Sequence, residues 1–217
     1  LALQGKVDGN YQVSGSNKLR RAIEMCRRPS VVAKFIRANR MAHWLASNFE
    51  TRGTIIIVRH PCAVVSSHLK KWGRDPFPHS SQKRVGEGLP AEDLTRFESV
   101  IKAASTPEEK IAVIWAIDTF FALEKDGPPP GSHVVKYEEL VRNPEKTVTD
   151  LFRYLDTTVP EPVWEAVNMP SRSAASDLRL SDADEQLSKW KEELSSDTVN
   201  RIFKIVSDLG INFYPSS

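Results

Sequence analysis

Thr54–Leu69 reads TIIIVRHPCAVVSSHL, and the fold turns on how that stretch is parsed. Four apolar residues, Ile55 to Val58, have the composition of a strand buried on both faces of a sheet. Arg59 falls where that strand must end. Pro61 suits the first turn of a helix, where its missing N–H has no intrahelical partner to lose, so strand, short turn and helix follow without slack. The helix turns Ala63, Val64 and Val65 inward and carries Ser66, Ser67 and His68 in its first two turns. A strand end feeding a helix N-terminus favours anions, because free backbone N–H groups and the helix dipole both attract negative charge. Here a guanidinium and two hydroxyls are added to that place.

Upstream, Val31–Ile36 (VVAKFI) reads as a short strand, and Asn39–Phe49 as a helix with Met41, Trp44, Leu45 and Phe49 on one side and Gly53 just beyond its end. Strand, helix and strand make a βαβ unit, whose strands should be parallel and whose crossover right-handed. Residues 1–16 are polar and without period, a flexible arm, and Asn17 is placed to cap a helix over Lys18–Arg28. Downstream, residues 73–92 are rich in Pro, Gly and Ser and read as either a lid loop over a site or a disordered segment. Helices follow over 92–104 and 107–124, the second strongly apolar, and the turn Gly127–Gly131 breaks it. Ser132–Lys136 reads as a strand with Tyr137 directly after it. Asn143-Pro144 opens an amphipathic helix to Leu155, a short helix surrounds Trp164, and two closing helices run over 184–194 and 197–209.

The 217 residues suit one α/β domain spanning the whole chain. Its 40% hydrophobic and 27% charged content excludes a disordered chain, and no run reaches the roughly 18 apolar residues of a membrane helix. A net charge of +2 does not point to nucleic acid, and the basic cluster Lys18, Arg20, Arg21, Arg27 and Arg28 reads as a solvated helix face. Cys26 and Cys62 stand outside any metal or disulfide spacing and read as small core residues, so no metal is expected. With no signal-peptide pattern at its start, the chain is expected to be cytoplasmic.

The 54–69 stretch resembles the 3′-phosphate-binding strand and helix of the sulfotransferases that use 3′-phosphoadenosine 5′-phosphosulfate (PAPS). In that family an Arg ending the strand and a Ser eight residues on hold the 3′-phosphate, and Arg59 and Ser67 match. Val134–Asp156 (VVKYEELVRNPEKTVTDLFRYLD) is similar to a second family segment, whose Tyr, here Tyr137, lies near the adenine. Residues 188–214 are similar to the helical close of many members. The resemblance implies a P-loop NTPase-like sulfotransferase fold, three-layer α/β/α with a central parallel sheet. It implies sulfuryl transfer from PAPS to a hydroxyl or amine of a small-molecule or carbohydrate acceptor, with adenosine 3′,5′-bisphosphate (PAP) as product. A homodimer is among the assemblies it allows. Lys34 corresponds to a family Lys and is taken as catalytic, with Lys34 or Arg37 to stabilise the sulfuryl oxygens; Ser171 and Arg172 fall where members contact the nucleotide.

Two family features have no counterpart here. No Gly- and Ser/Thr-rich phosphosulfate loop occurs, and Val13–Leu19 (VSGSNKL) lacks its spacing, so the loop is expected upstream of Leu1. No His occupies the position of the catalytic base; His43, the nearest, reads as a core or surface histidine. Two other functions compete: a small-molecule kinase, which needs a Walker loop and a Mg²⁺-binding Asp, and a non-catalytic nucleotide-binding or interaction module.

Overall fold

The computed structural model describes residues 32–35, 38–73, 89–167 and 183–214. The 1–16 arm, Arg37, residues 74–88 of the 73–92 segment, Ser171 and Arg172 lie outside them. In chain order, a 3₁₀ turn at Asn39–Met41 leads into α1 (Ala42–Asn48), followed by β1 (Thr54–Val58), α2 (Pro61–Trp72), α3 (Ala91–Ala103) and α4 (Pro107–Thr119). Then come β2 (Ser132–Lys136), α5 (Tyr137–Arg142), α6 (Pro144–Tyr154), α7 (Glu161–Val167), α8 (Ala183–Ser188), α9 (Trp190–Glu193) and α10 (Ser196–Asp208). None of these helices is long and apolar enough to cross a membrane.

The two strands pair in parallel, Thr54 opposite Ser132 and Val58 opposite Lys136. Parallel neighbours need a long crossover, which α2, α3 and α4 supply. Over Ile111–Ile117 α4 is buried almost all round, with Ala112, Ala116 and Ile117 fully enclosed, as expected of a helix apolar on every side. It packs between α2 and α10, whose Val65, Cys62, Ile202 and Val206 complete the core. Ile56, Val58 and Val134 face this core from the sheet. On the opposite face α6 covers β2, burying Val135 and Val148 and setting the Tyr154 ring 5.1 Å from that of His133. Helices thus lie on both sides of a parallel pair, over all of one face and over the β2 half of the other, an α/β/α arrangement.

Two expectations are corrected. Val32–Phe35 forms no strand: Val32 is 95% and Phe35 54% exposed, and β1 takes β2 as its partner instead. An apolar run becomes a strand only where an edge offers hydrogen bonds, and among the described residues none pairs with this one. β1 is also not buried on both faces. Ile55 and Ile57 are 37% and 57% exposed, because α6 covers the second face beneath β2 and leaves the β1 half open.

Candidate functional site

Because Val58 pairs with Lys136, the next residue of each strand, Arg59 and Tyr137, is delivered to the same place. The Arg59 guanidinium carbon sits 4.8 Å from the Tyr137 ring centroid, a cation–π contact. Its main chain is anchored by Trp115, whose indole Nε1 donates to the Arg59 carbonyl at 3.0 Å. Its side chain keeps bonding capacity in hand: Nε is buried without a hydrogen-bond partner, and none of the ion pairs among the described residues involves it. An orphaned guanidinium N–H is costly unless something completes it.

α2 begins two residues on. Pro61 is its first residue, the Val64 N–H bonds the His60 carbonyl at 3.0 Å, and no side chain of His60 caps the helix. The N–H groups of Cys62 and Ala63 therefore have no intrahelical acceptor. Cys62 itself is a core residue: burial pushes its thiol up to about 12, so it is no nucleophile at neutral pH.

A carboxylate stands beside this cationic corner. Glu138, the residue after Tyr137, accepts from the His60 backbone N–H at 2.9 Å. The Tyr214 hydroxyl oxygen lies 2.5 Å from the other Glu138 oxygen and 3.2 Å from the Val58 carbonyl. One proton cannot serve both, and the shorter contact to an ionised acceptor takes it. Burial, reinforced by Glu138, holds the Tyr214 phenol well above its ordinary value, so it stays a donor.

The His60 ring is stacked on Trp190, centroids 4.7 Å apart and planes at 16°, with Phe203 and Tyr214 against it edge-on. Burial lowers its pKa, Glu138 opposes that, and Lys191 and Arg59 add to it, so the ring is neutral at pH 7. Further along α2, buried Ser66 and Lys70 both bond the Glu193 carboxylate, tying α9 to α2. Gln186 of α8 donates to the Tyr137 hydroxyl at 3.4 Å.

Of the residues singled out from sequence, Arg59 and Tyr137 are brought into contact. Ser67 lies on α2 in the second turn, exposed, whereas its neighbour Ser66 is buried in the α9 contact. Lys34 is exposed on the irregular Val32–Phe35 stretch. His43 is half-buried, its Nε2 donating to the Gly127 carbonyl at 2.9 Å. Glu138, Tyr214, His60 and Trp115 escaped the sequence reading. Glu138 looks like dipole compensation in the first turn of α5, and the others come from distant parts of the chain.

These features define an α/β protein with a cationic and aromatic site at the ends of two parallel strands. A solved structure, described as the sulfotransferase domain from the curacin biosynthetic pathway, is similar with a TM-score of 0.50 and 19% sequence identity. The likeness covers 87% of this chain and 66% of that domain's length. At that identity it establishes the fold, which is α/β and sulfotransferase-like. No family model and no curated protein matches the chain.

Proposed function

We propose that this chain is a PAPS-dependent sulfotransferase, transferring a sulfuryl group to a hydroxyl-bearing small molecule or carbohydrate. The observation that carries the reading is Arg59: a guanidinium with an unpartnered buried N–H, held over an aromatic ring beside an uncapped helix N-terminus. That combination fits a phosphate bidentately.

In this reading Arg59, the first N–H groups of α2 and Ser67 bind the 3′-phosphate, and Tyr137 flanks the adenine. Ser171 and Arg172 are assigned further nucleotide contacts. Lys34 is assigned to the sulfuryl oxygens, where a fixed positive charge lowers the barrier as negative charge shifts during in-line displacement. PAPS supplies the activated sulfuryl group; the residues named here bind and orient it.

The test is calorimetry with PAP. Wild-type protein should bind it in preference to ATP·Mg²⁺, and Arg59→Ala should weaken binding about 10- to 100-fold, the range of a charge-assisted hydrogen-bond pair. Arg59→Lys should recover only part, since an ammonium cannot bond two oxygens from a planar fork. Preference for ATP·Mg²⁺ would turn the assignment to a kinase, and binding of neither to an interaction module.

A further inference from the structure

Glu138 is brought next to Arg59 through the chain neighbours of each, yet among the described residues no ion pair joins the two. The Arg59 guanidinium lies over the ring of Tyr137, the residue preceding Glu138, and the Glu138 carboxylate reaches the backbone N–H of His60, the residue following Arg59. An ion pair between the two would satisfy the orphaned Arg59 Nε and close the site against any external anion. What stands in the way is the orientation of the carboxylate: one oxygen is held by the His60 N–H, the other by the Tyr214 hydroxyl. Tyr214 is 8% exposed and fixed by His60, Trp115 and Phe213 around its ring, with the Lys136 ammonium 5.3 Å from its centroid. Its hydroxyl therefore has no alternative but Glu138 and the Val58 carbonyl.

We propose that Tyr214 is a positioning residue of the anion site: by fixing the orientation of the Glu138 carboxylate it keeps Arg59 unpaired and available to a phosphate. The C-terminal end of the described chain thereby controls a ligand at the β1 end without touching it. Specificity of this kind rests on disfavouring an internal competitor as much as on attracting the ligand. The inference rests on Arg59 being the anion's ligand.

Tyr214→Phe removes the hydroxyl and keeps the ring. The Glu138 carboxylate then loses one of the two bonds that orient it and can turn toward Arg59, and PAP affinity should fall about tenfold. In the double variant Tyr214→Phe with Glu138→Gln there is no carboxylate to compete, and affinity should return to within about twofold of Glu138→Gln alone. A merely structural role for Tyr214 predicts no such rescue. Glu138→Gln alone should bind PAP at least as tightly as wild type, and this variant stands as the test if Tyr214→Phe does not fold. A second readout needs no nucleotide: the Arg59 Nε–H resonance, followed by NMR, should shift in Tyr214→Phe as the guanidinium acquires a carboxylate and shift back in the double variant. Unchanged affinity in Tyr214→Phe, a loss that Glu138→Gln does not relieve, or a tenfold loss in Glu138→Gln alone would overturn the proposal. Should wild type fail to bind PAP while the resonance moves as described, the nucleotide assignment falls and the positioning role of Tyr214 stands.

Discussion

A β-carbon added at Gly53 would lie 2.6 Å from Tyr154 Cε1 and 2.7 Å from its hydroxyl oxygen. That ring cannot withdraw cheaply, because its hydroxyl accepts from the Thr54 N–H at 2.9 Å and donates to the Gly131 carbonyl, pinning the starts of both strands to α6. Gly53→Ala should therefore cost about 1–3 kcal/mol, the range for forcing volume into a packed site, and lower Tm by several degrees in a thermal melt. A Tm within a degree of wild type would show that Tyr154 moves aside freely. In sequence this glycine reads as a helix stop after α1, whereas α1 ends at Asn48 and what demands a glycine is a tyrosine about a hundred positions further on. Arg59 and Tyr137 were legible because strand ends announce themselves locally. Glu138 as a bonding hub was not, since its partners His60 and Tyr214 are 78 and 76 positions away.

Helices were the readable elements. The apolar period and the Pro residues placed the start of α2 and the ends of α4, α6 and α10 within a residue or two, with α4 continuing through a π-turn at Phe120–Glu124. The strand expected at Val31–Ile36 was not obtained, because strand formation depends on a partner edge that a local run cannot reveal. The start of α4 shows how firmly one element can be specified. Thr106 Oγ1 accepts from the Glu109 N–H at 3.2 Å, and the Glu109 carboxylate accepts from Ser105 N–H at 2.8 Å and Thr106 N–H at 3.0 Å, a capping box. Burial alone would raise the Glu109 pKa, but these N–H donors, the Ser105 hydroxyl and Arg201 outweigh it and hold the carboxyl below its ordinary value. A depressed pKa contributes stability that is full above the unfolded value of 4.5 and is lost as pH falls through the folded value. In urea titrations Glu109→Gln should thus trail wild type at pH 7 and draw level with it near pH 3. Thr106→Ala should cost about 1 kcal/mol at pH 7. A Glu109→Gln deficit that is the same at both pH values would refute the ionic account.

At the scale of the whole molecule, the chain's C-terminal third is fastened to the site through α9, α10 and the residues after them. Trp190 stacks on His60, Glu193 holds Ser66 and Lys70, and Phe203 and Tyr214 complete the enclosure of the imidazole. This fastening ties global stability to the protonation of one ring. His60 is disfavoured as a cation by burial and by Lys191 and Arg59, with Glu138 only partly offsetting them, so its folded pKa lies below 6.5. The unfolded chain consequently binds a proton at higher pH than the folded one, and stability must decline as pH drops below 6.5 toward the folded value, while above 6.5 this contribution is complete. His60→Gln removes the titration together with the stack on Trp190. It should be less stable than wild type at pH 7.5 and should lose less on going to pH 5.5, so that the two urea midpoints converge. Parallel declines in the two proteins would place the acid sensitivity elsewhere. The same convergence should appear in PAP affinity, because protonating His60 places a buried cation beside Lys191 and Arg59 and loosens the turn that carries Arg59. An affinity that rises toward pH 5.5 in wild type, as simple gain of positive charge near a phosphate would give, would mean that the charge of His60 reaches the ligand directly and the ring's packing does not govern the site.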